Sequence, residues 1–241
     1  MLTVCSPQCD ARAIQKLAQS TSSKLLLHSP GLAELAASVA PWCGHSPLPA
    51  HEDDADFPYD WWPTPSFIDS STVAYIHHTS GTTSGLPSPI PQKHAAATAH
   101  LPCLPPQPAI STLTMTPLYH GGVADLMRSM MSSSMIWLFP PTAAITAGNI
   151  LCAVKAANQR LPGCPVKLFT SVPYIQKMCL EDPACLAALG KMDIVGYGGA
   201  PLPDHVGDAL VGNGVNLVSR FGSTECGCKS DPLHINSADT H

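Results

Sequence analysis

Residues Thr79-Ser80-Gly81-Thr82-Thr83-Ser84-Gly85-Leu86-Pro87 set hydroxyl side chains and glycines side by side in one short run. Glycines let the backbone approach an anion, the exposed N–H groups can converge on it, and hydroxyls rotate to donate. Such a run suits the holding of a polyphosphate. A plain Ser/Gly/Thr turn without a ligand has the same composition, so a second signal is needed. The order G-x-x-x-x-G-K-S/T is absent, as is G-x-G-x-x-G, so the run is neither a Walker-type loop nor a dinucleotide fingerprint. It is not a serine-hydrolase elbow either, because Ser84 stands one place late for G-x-S-x-G.

The second signal is Arg220-Phe221-Gly222-Ser223-Thr224-Glu225-Cys226-Gly227. Phe221 can stack on a purine, Thr224 can reach a phosphate, and Glu225 can hold magnesium. The competing reading is a helix N-terminus, with Ser223 or Thr224 as cap and Glu225 in the first turn. Between the two runs lie Pro117-Leu118-Tyr119-His120-Gly121-Gly122 and Gly196-Tyr197-Gly198-Gly199-Ala200-Pro201-Leu202-Pro203. His120 could face a substrate carboxylate; a packed structural histidine is the alternative.

All four runs follow strand candidates. Residues 73–77, 111–116, 135–139, 166–171, 193–197 and 215–220 read as strands. Helices are expected over 122–131, 146–160, 173–181, 184–189 and 203–211, with an alanine-rich helix from about Lys93. Upstream, 11–19 and 31–39 have helical spacing around a short apolar run at 24–27. This alternation predicts an α/β fold of mostly parallel layered sheet with flanking helices, and ligands in such sheets collect at strand ends. Four stretches are expected: an N-terminal helix and strand segment (1–40), a Pro-rich acidic loop (41–70), a core (71–228) and a polar tail (229–241).

With 45% hydrophobic and 12% charged residues and a net charge of −5, the 241-residue chain has a globular composition without a basic field. Nucleic acid and anionic membrane surfaces are thereby disfavoured as partners. The N-terminus lacks the order of a secretory signal, and the most apolar window, 135–147, is interrupted by Pro140 and Pro141 and is too short for a bilayer. Ten scattered cysteines fit reduced thiols in a cytoplasmic protein.

In this order, the four runs resemble the adenylate-forming superfamily of acyl-CoA synthetases, peptide-synthetase adenylation domains and luciferases. His77-His78 before the first loop and Pro89-Ile90 behind it make the chain most similar to the adenylation domain of fungal synthetase-like carboxylic acid reductases. The resemblance implies ATP, Mg2+, a small carboxylic acid and a thiol acceptor on a carrier domain or coenzyme A. It implies that Thr79, Ser80, Gly81, Thr82, Thr83 and Gly85 cradle the leaving phosphates, and that Gly199, Ala200 and Pro201 border the adenine on which Phe221 stacks. Thr224 would touch the α-phosphate, Glu225 would coordinate the metal, and His120 would line the acyl pocket.

Two departures bear on activity. Ser88 stands where the family usually has lysine after the proline, and Ser84 reads as an additional residue. Nothing after Gly227 resembles the family's ribose-binding aspartate or its small domain with a catalytic lysine, so the expectation is a partial domain not competent alone. The alternatives are a remnant or regulatory module that keeps the fold without the reaction, and a metal protein using Cys226, Cys228 and His234.

Overall fold

Asp10 accepts a hydrogen bond from the Ala13 amide at 2.8 Å and so starts helix α1 (Ala11–Thr21), which Ser22 ends in the left-handed region at φ 53°. The computed structural model describes residues 2–3, 5–48, 67–79, 85–99, 109–225 and 227–228. They divide between two compact units, Met1–Ala96 and Ala97–His241, a boundary inside the stretch read from sequence as one core.

In the first unit, Ile14 and Leu17 of α1 and Ala36 and Val39 of α2 (Ala33–Val39) are buried. Strand β1 (Leu2–Thr3) runs parallel to β4 (Val73–His78), which pairs antiparallel with β5 (Pro89–Lys93). A separate parallel pair joins β2 (Leu25–His28) to β3 (Gly44–Pro47). Two expectations are corrected here. The run from Thr79 is not followed directly by a helix: β5 comes next, antiparallel to β4, and α3 (His94–Ala99) begins only after it. β3 falls inside the segment read as loop; the acidic residues Glu52, Asp53, Asp54 and Asp56 of that segment lie outside the described residues.

The second unit is built on five parallel strands in the order β10-β9-β8-β6-β7: β6 (Ser111–Thr114), β7 (Met135–Leu138), β8 (Val166–Ser171), β9 (Ile194–Gly198) and β10 (Leu217–Arg220). Helices α4 (Gly122–Met131), α5 (Ala147–Arg160), α6 (Pro173–Glu181), α7 (Pro183–Leu189) and α8 (Asp204–Gly212) connect them. Thr146 caps α5 through the Asn149 amide, and Asp182 caps α7 through the amides of Ala184 and Cys185. The fold class is as the sequence predicts, with every core strand and helix found within a few residues of its expected place.

The two faces of this sheet differ. Leu113, Phe169 and Val195 join Ile150, Val154, Ile175, Val206 and Leu210 in one apolar cluster with the helices. Thr114 and Thr170, neighbours in register on β6 and β8, instead turn hydroxyls toward α4. Alternation along a strand puts successive side chains on opposite faces, so one sheet has an apolar face and a polar one.

Candidate functional site

The Tyr119-His120 turn is fixed by the Pro117 carbonyl, which accepts from the amides of His120 and Gly122, both at 3.0 Å. A Cβ on Gly122 would lie 2.1 Å from the Thr116 carbonyl oxygen and 2.7 Å from that of Pro117, so only glycine can begin α4 here. The turn therefore stays pressed against the end of β6, and the His120 side chain is exposed.

At the end of β9, a Cβ on Gly198 would come within 2.7 Å of the Arg220 carbonyl oxygen on β10, its partner in register. Gly199 follows at φ +85°, a conformation that favours glycine. Ala200 and Pro201 beyond it are exposed. On the neighbouring strand, Phe221 leaves the sheet 72% exposed, an aromatic ring the packing does not use. Next come β11 (Gly222–Ser223) and β12 (Gly227–Cys228), antiparallel to each other, with Thr224 half-buried and Glu225 exposed in the turn between them. The helix-cap alternative is thereby replaced by a hairpin. Cys226 and His234 of the metal alternative lie outside the described residues, and among the described residues no three His, Cys, Asp or Glu side chains are grouped to hold a metal ion.

Because the five strands are parallel, their carboxyl ends share one edge. That edge collects His120, Gly199, Ala200, Pro201, Phe221, Thr224 and Glu225, and the strand order reverses there between β6 and β8, where open α/β sheets take their ligands. An exposed aromatic beside a chain segment of small residues offers a flat apolar surface to a planar ring.

Beneath the edge lies a buried charge cluster. Asp125 of α4 is fully buried; its Oδ2 accepts from Thr114 Oγ1 at 2.9 Å and Thr170 Oγ1 at 2.8 Å. Its Oδ1 faces Arg220 Nη1 at 2.9 Å and Arg128 Nη2 at 3.4 Å. Arg128 also donates to Thr112 Oγ1 at 3.4 Å.

In the first unit, the chain leaves β4 at Thr79 and returns at Ser88 through a closed neck. The Thr79 amide donates to the Ser88 carbonyl at 3.0 Å, and the Ser88 amide donates to Thr79 Oγ1 at 3.1 Å. Ser88 thus serves the neck through its backbone, a role independent of its side chain. Gly85 is exposed at φ +73°, as a tight loop requires. Ser80, Gly81, Thr82 and Thr83 lie outside the described residues. His78 Nε2 accepts from the Ser6 amide at 3.0 Å, which leaves the proton on Nδ1 to donate to the Thr79 carbonyl at 2.9 Å. Nearby, burial first and then Cys9 and Cys43 push the Cys5 thiol up to about 11.

The family pattern described as AMP-binding enzyme matches residues 1–240. The chain belongs to the AMP-binding enzyme family. It is 30% identical to a non-canonical non-ribosomal peptide synthetase of Acremonium egyptiacum across 98% of its own length and 22% of that protein's. It is 35% identical to an adenylate-forming reductase of Aspergillus terreus over 157 residues, 63% of this chain and 14% of the relative. Among solved structures, ATP-bound MatB from Rhodopseudomonas palustris superposes with a TM-score of 0.72 at 18% identity, covering 93% of this chain and 45% of MatB. The chain therefore spans less than a quarter of these two curated relatives.

Asp125 and Arg128 are passed over by the motif reading, and Arg220 enters it without a role. A signal was present. Along α4 the buried positions are Gly122, Asp125, Arg128 and Ser129, polar or small residues at helical spacing where an amphipathic helix normally buries apolar ones. Among the described residues, no helix is long and apolar enough to cross a membrane.

Proposed function

We propose that this chain carries the nucleotide side of an acid-activating adenylation site and takes ATP with Mg2+. The observation that supports it most is the shared carboxyl edge, where an exposed Phe221 ring, the Gly199–Pro201 segment, Thr224 and Glu225 stand on neighbouring strand ends. In this reading Phe221 stacks on the adenine, Gly199, Ala200 and Pro201 border it, and Thr224 donates to the α-phosphate. Glu225 is the carboxylate available to Mg2+, which when bound offsets phosphate charge. His120 lines the pocket for the acid. The run from Thr79 through Ser80, Gly81, Thr82 and Thr83 to Gly85 holds the departing phosphates.

The reaction is a substitution at phosphorus. A carboxylate oxygen of the acid bonds to the α-phosphorus, the bond from that phosphorus to the bridging oxygen breaks, and pyrophosphate leaves with the electron pair. A thiol of a carrier domain or coenzyme A then attacks the acyl carbon and releases AMP. The residues named here align and stabilise charge, the main source of acceleration in such transfers. Residues 71–228 hold this machinery, in a cytoplasmic protein, and acid activation needs a ribose-binding aspartate and a catalytic lysine from outside residues 1–241.

Calorimetric titration with ATP and magnesium tests the binding. Saturable uptake by the chain, weakened about tenfold in Phe221→Ala as loss of base stacking demands, supports the reading. Pyrophosphate exchange with a panel of carboxylic acids tests the chemistry: robust exchange by the isolated chain overturns the need for added residues. Ser88 in place of lysine favours a second reading, a remnant that keeps the fold without the reaction. Its mark is folded protein with no affinity for ATP.

A further inference from the structure

Arg220 has an unusual course. It sits on β10 next to Gly198 in register, yet its guanidinium reaches Asp125 on α4, beyond the far side of β9. The path runs over Gly196: a Cβ there would stand 3.0 Å from Arg220 Cδ and 3.4 Å from Thr170 Cγ2. Asp125 at the end of that path is fully buried and is held in place by the hydroxyls of Thr114 and Thr170, one from each strand flanking the reversal of strand order. Each carboxylate oxygen has a defined job, Oδ2 on the two threonines and Oδ1 on the two arginines. A carboxylate this deep is tolerated only when paired and hydrogen-bonded, so the arrangement has little freedom to drift.

The two ends of this pair are each a short step from the carboxyl edge. Arg220 directly precedes Phe221, and Asp125 follows the Tyr119-His120 turn by little more than one helical turn. We propose that Asp125 is a positioning residue: through its ion pair with Arg220 it locks the Phe221–Glu225 turn and the Tyr119-His120 turn into one fixed relation. The inference rests on the nucleotide reading of that edge and adds to it the element that sets the distance between the base-stacking side and the acid-facing side. Neither Asp125 nor Arg220 needs to touch a ligand for this. The sheet carries the loops, and the buried pair fixes how they face each other.

The test uses the 241-residue chain and its variants Arg220→Met, Arg220→Lys, Asp125→Asn and the double variant Asp125→Asn/Arg220→Met. ATP with magnesium is the titrant, and amide hydrogen exchange reports the two turns. Arg220→Met is expected to weaken ATP about tenfold, and the double variant to be no weaker than it, because both changes break one interaction. Exchange in residues 118–124 and 217–225 is expected to quicken together while β8 and α5 keep their rates. Arg220→Lys, which keeps the charge without the planar fork, is expected to recover part of the loss. A purely structural role predicts a lowered melting temperature without that recovery. ATP affinity unchanged in Arg220→Met, or losses that multiply in the double variant, overturns the inference and leaves the nucleotide reading standing. Should Asp125→Asn fail to fold, the Arg220→Met and Arg220→Lys pair decides, since that side chain is 18% exposed and less deeply built in. A wild-type chain that takes up no ATP overturns the nucleotide reading; the exchange rates of the two turns then decide the anchor, joint quickening upholding it and a change in one turn alone overturning it.

Discussion

The hairpin neck at Thr79 and Ser88 and the carboxyl edge of the five-stranded sheet both present loops suited to phosphate chemistry, but they are held by different means. The neck is closed by two hydrogen bonds between its flanking residues, one wholly backbone and one through the Thr79 hydroxyl. The edge is held by side chains far from it in sequence: a cluster centred on Phe169 under one face and the Asp125 group under the other. A loop closed by its own backbone tolerates sequence change in its side chains, as Ser88 illustrates. A loop set by remote buried groups does not, and its geometry depends on the whole sheet.

The contrast can be broken most forcefully at Phe169. Its side chain has no exposure, and Phe169→Ala is expected to lower unfolding free energy by about 3–5 kcal/mol in a urea titration. A loss below about 1 kcal/mol contradicts the claim that this cluster holds the edge. Gly122→Ala comes next, with a new methyl 2.1 Å from the Thr116 carbonyl oxygen; about 1–3 kcal/mol is expected by the same measurement, together with altered exchange at residues 116–121. Thr79→Val removes one neck hydrogen bond and should cost about 1 kcal/mol, with faster amide exchange confined to the β4–β5 hairpin. If exchange rises throughout the first unit, the neck is more than a local clasp.

The smallest effect is invisible at neutral pH. The Cys5 thiol ionises at about 11 in the fold against an ordinary 9.0, so the fold disfavours the thiolate. Stability from this source is complete below pH 9.0 and is lost as pH rises through 9.0 toward about 11. Unfolding free energy measured across that window should decline less in Cys5→Ala than in the wild type. Equal slopes would place the burial of Cys5 in doubt.

Sequence periodicity located the second unit well because its helices and strands obey simple rules. Thr146, Asp182 and Pro173 mark helix starts, and Val166–Ser171 is a strand buried at every position but Lys167. The failures have physical causes. β5 contains Pro89 and Pro91, which cannot donate to a ladder and so argue against a strand, yet β5 lies at the edge of its sheet, where such residues are tolerated. β3 reads Gly-His-Ser-Pro and has no apolar alternation; it forms because β2 lies alongside it. For the site, the glycines and hydroxyls of the loops were legible in the chain itself. The link from Arg220 to Asp125 spans residues far apart in sequence and appears only when the sheet is assembled.

Gly196 and Arg220 then form a single heritable unit. A methyl at 196 would stand 3.0 Å from Arg220 Cδ and 3.4 Å from Thr170 Cγ2, so it would press on the arginine's course to Asp125. In descendants of this chain, a shortened residue at 220 would release 196 to accept alanine or serine and would strip Asp125 of a counter-charge, favouring its replacement by asparagine. Drift at these three positions should therefore occur in concert, with a glycine that has no side chain of its own serving as the gatekeeper of the charge pair that passes over it.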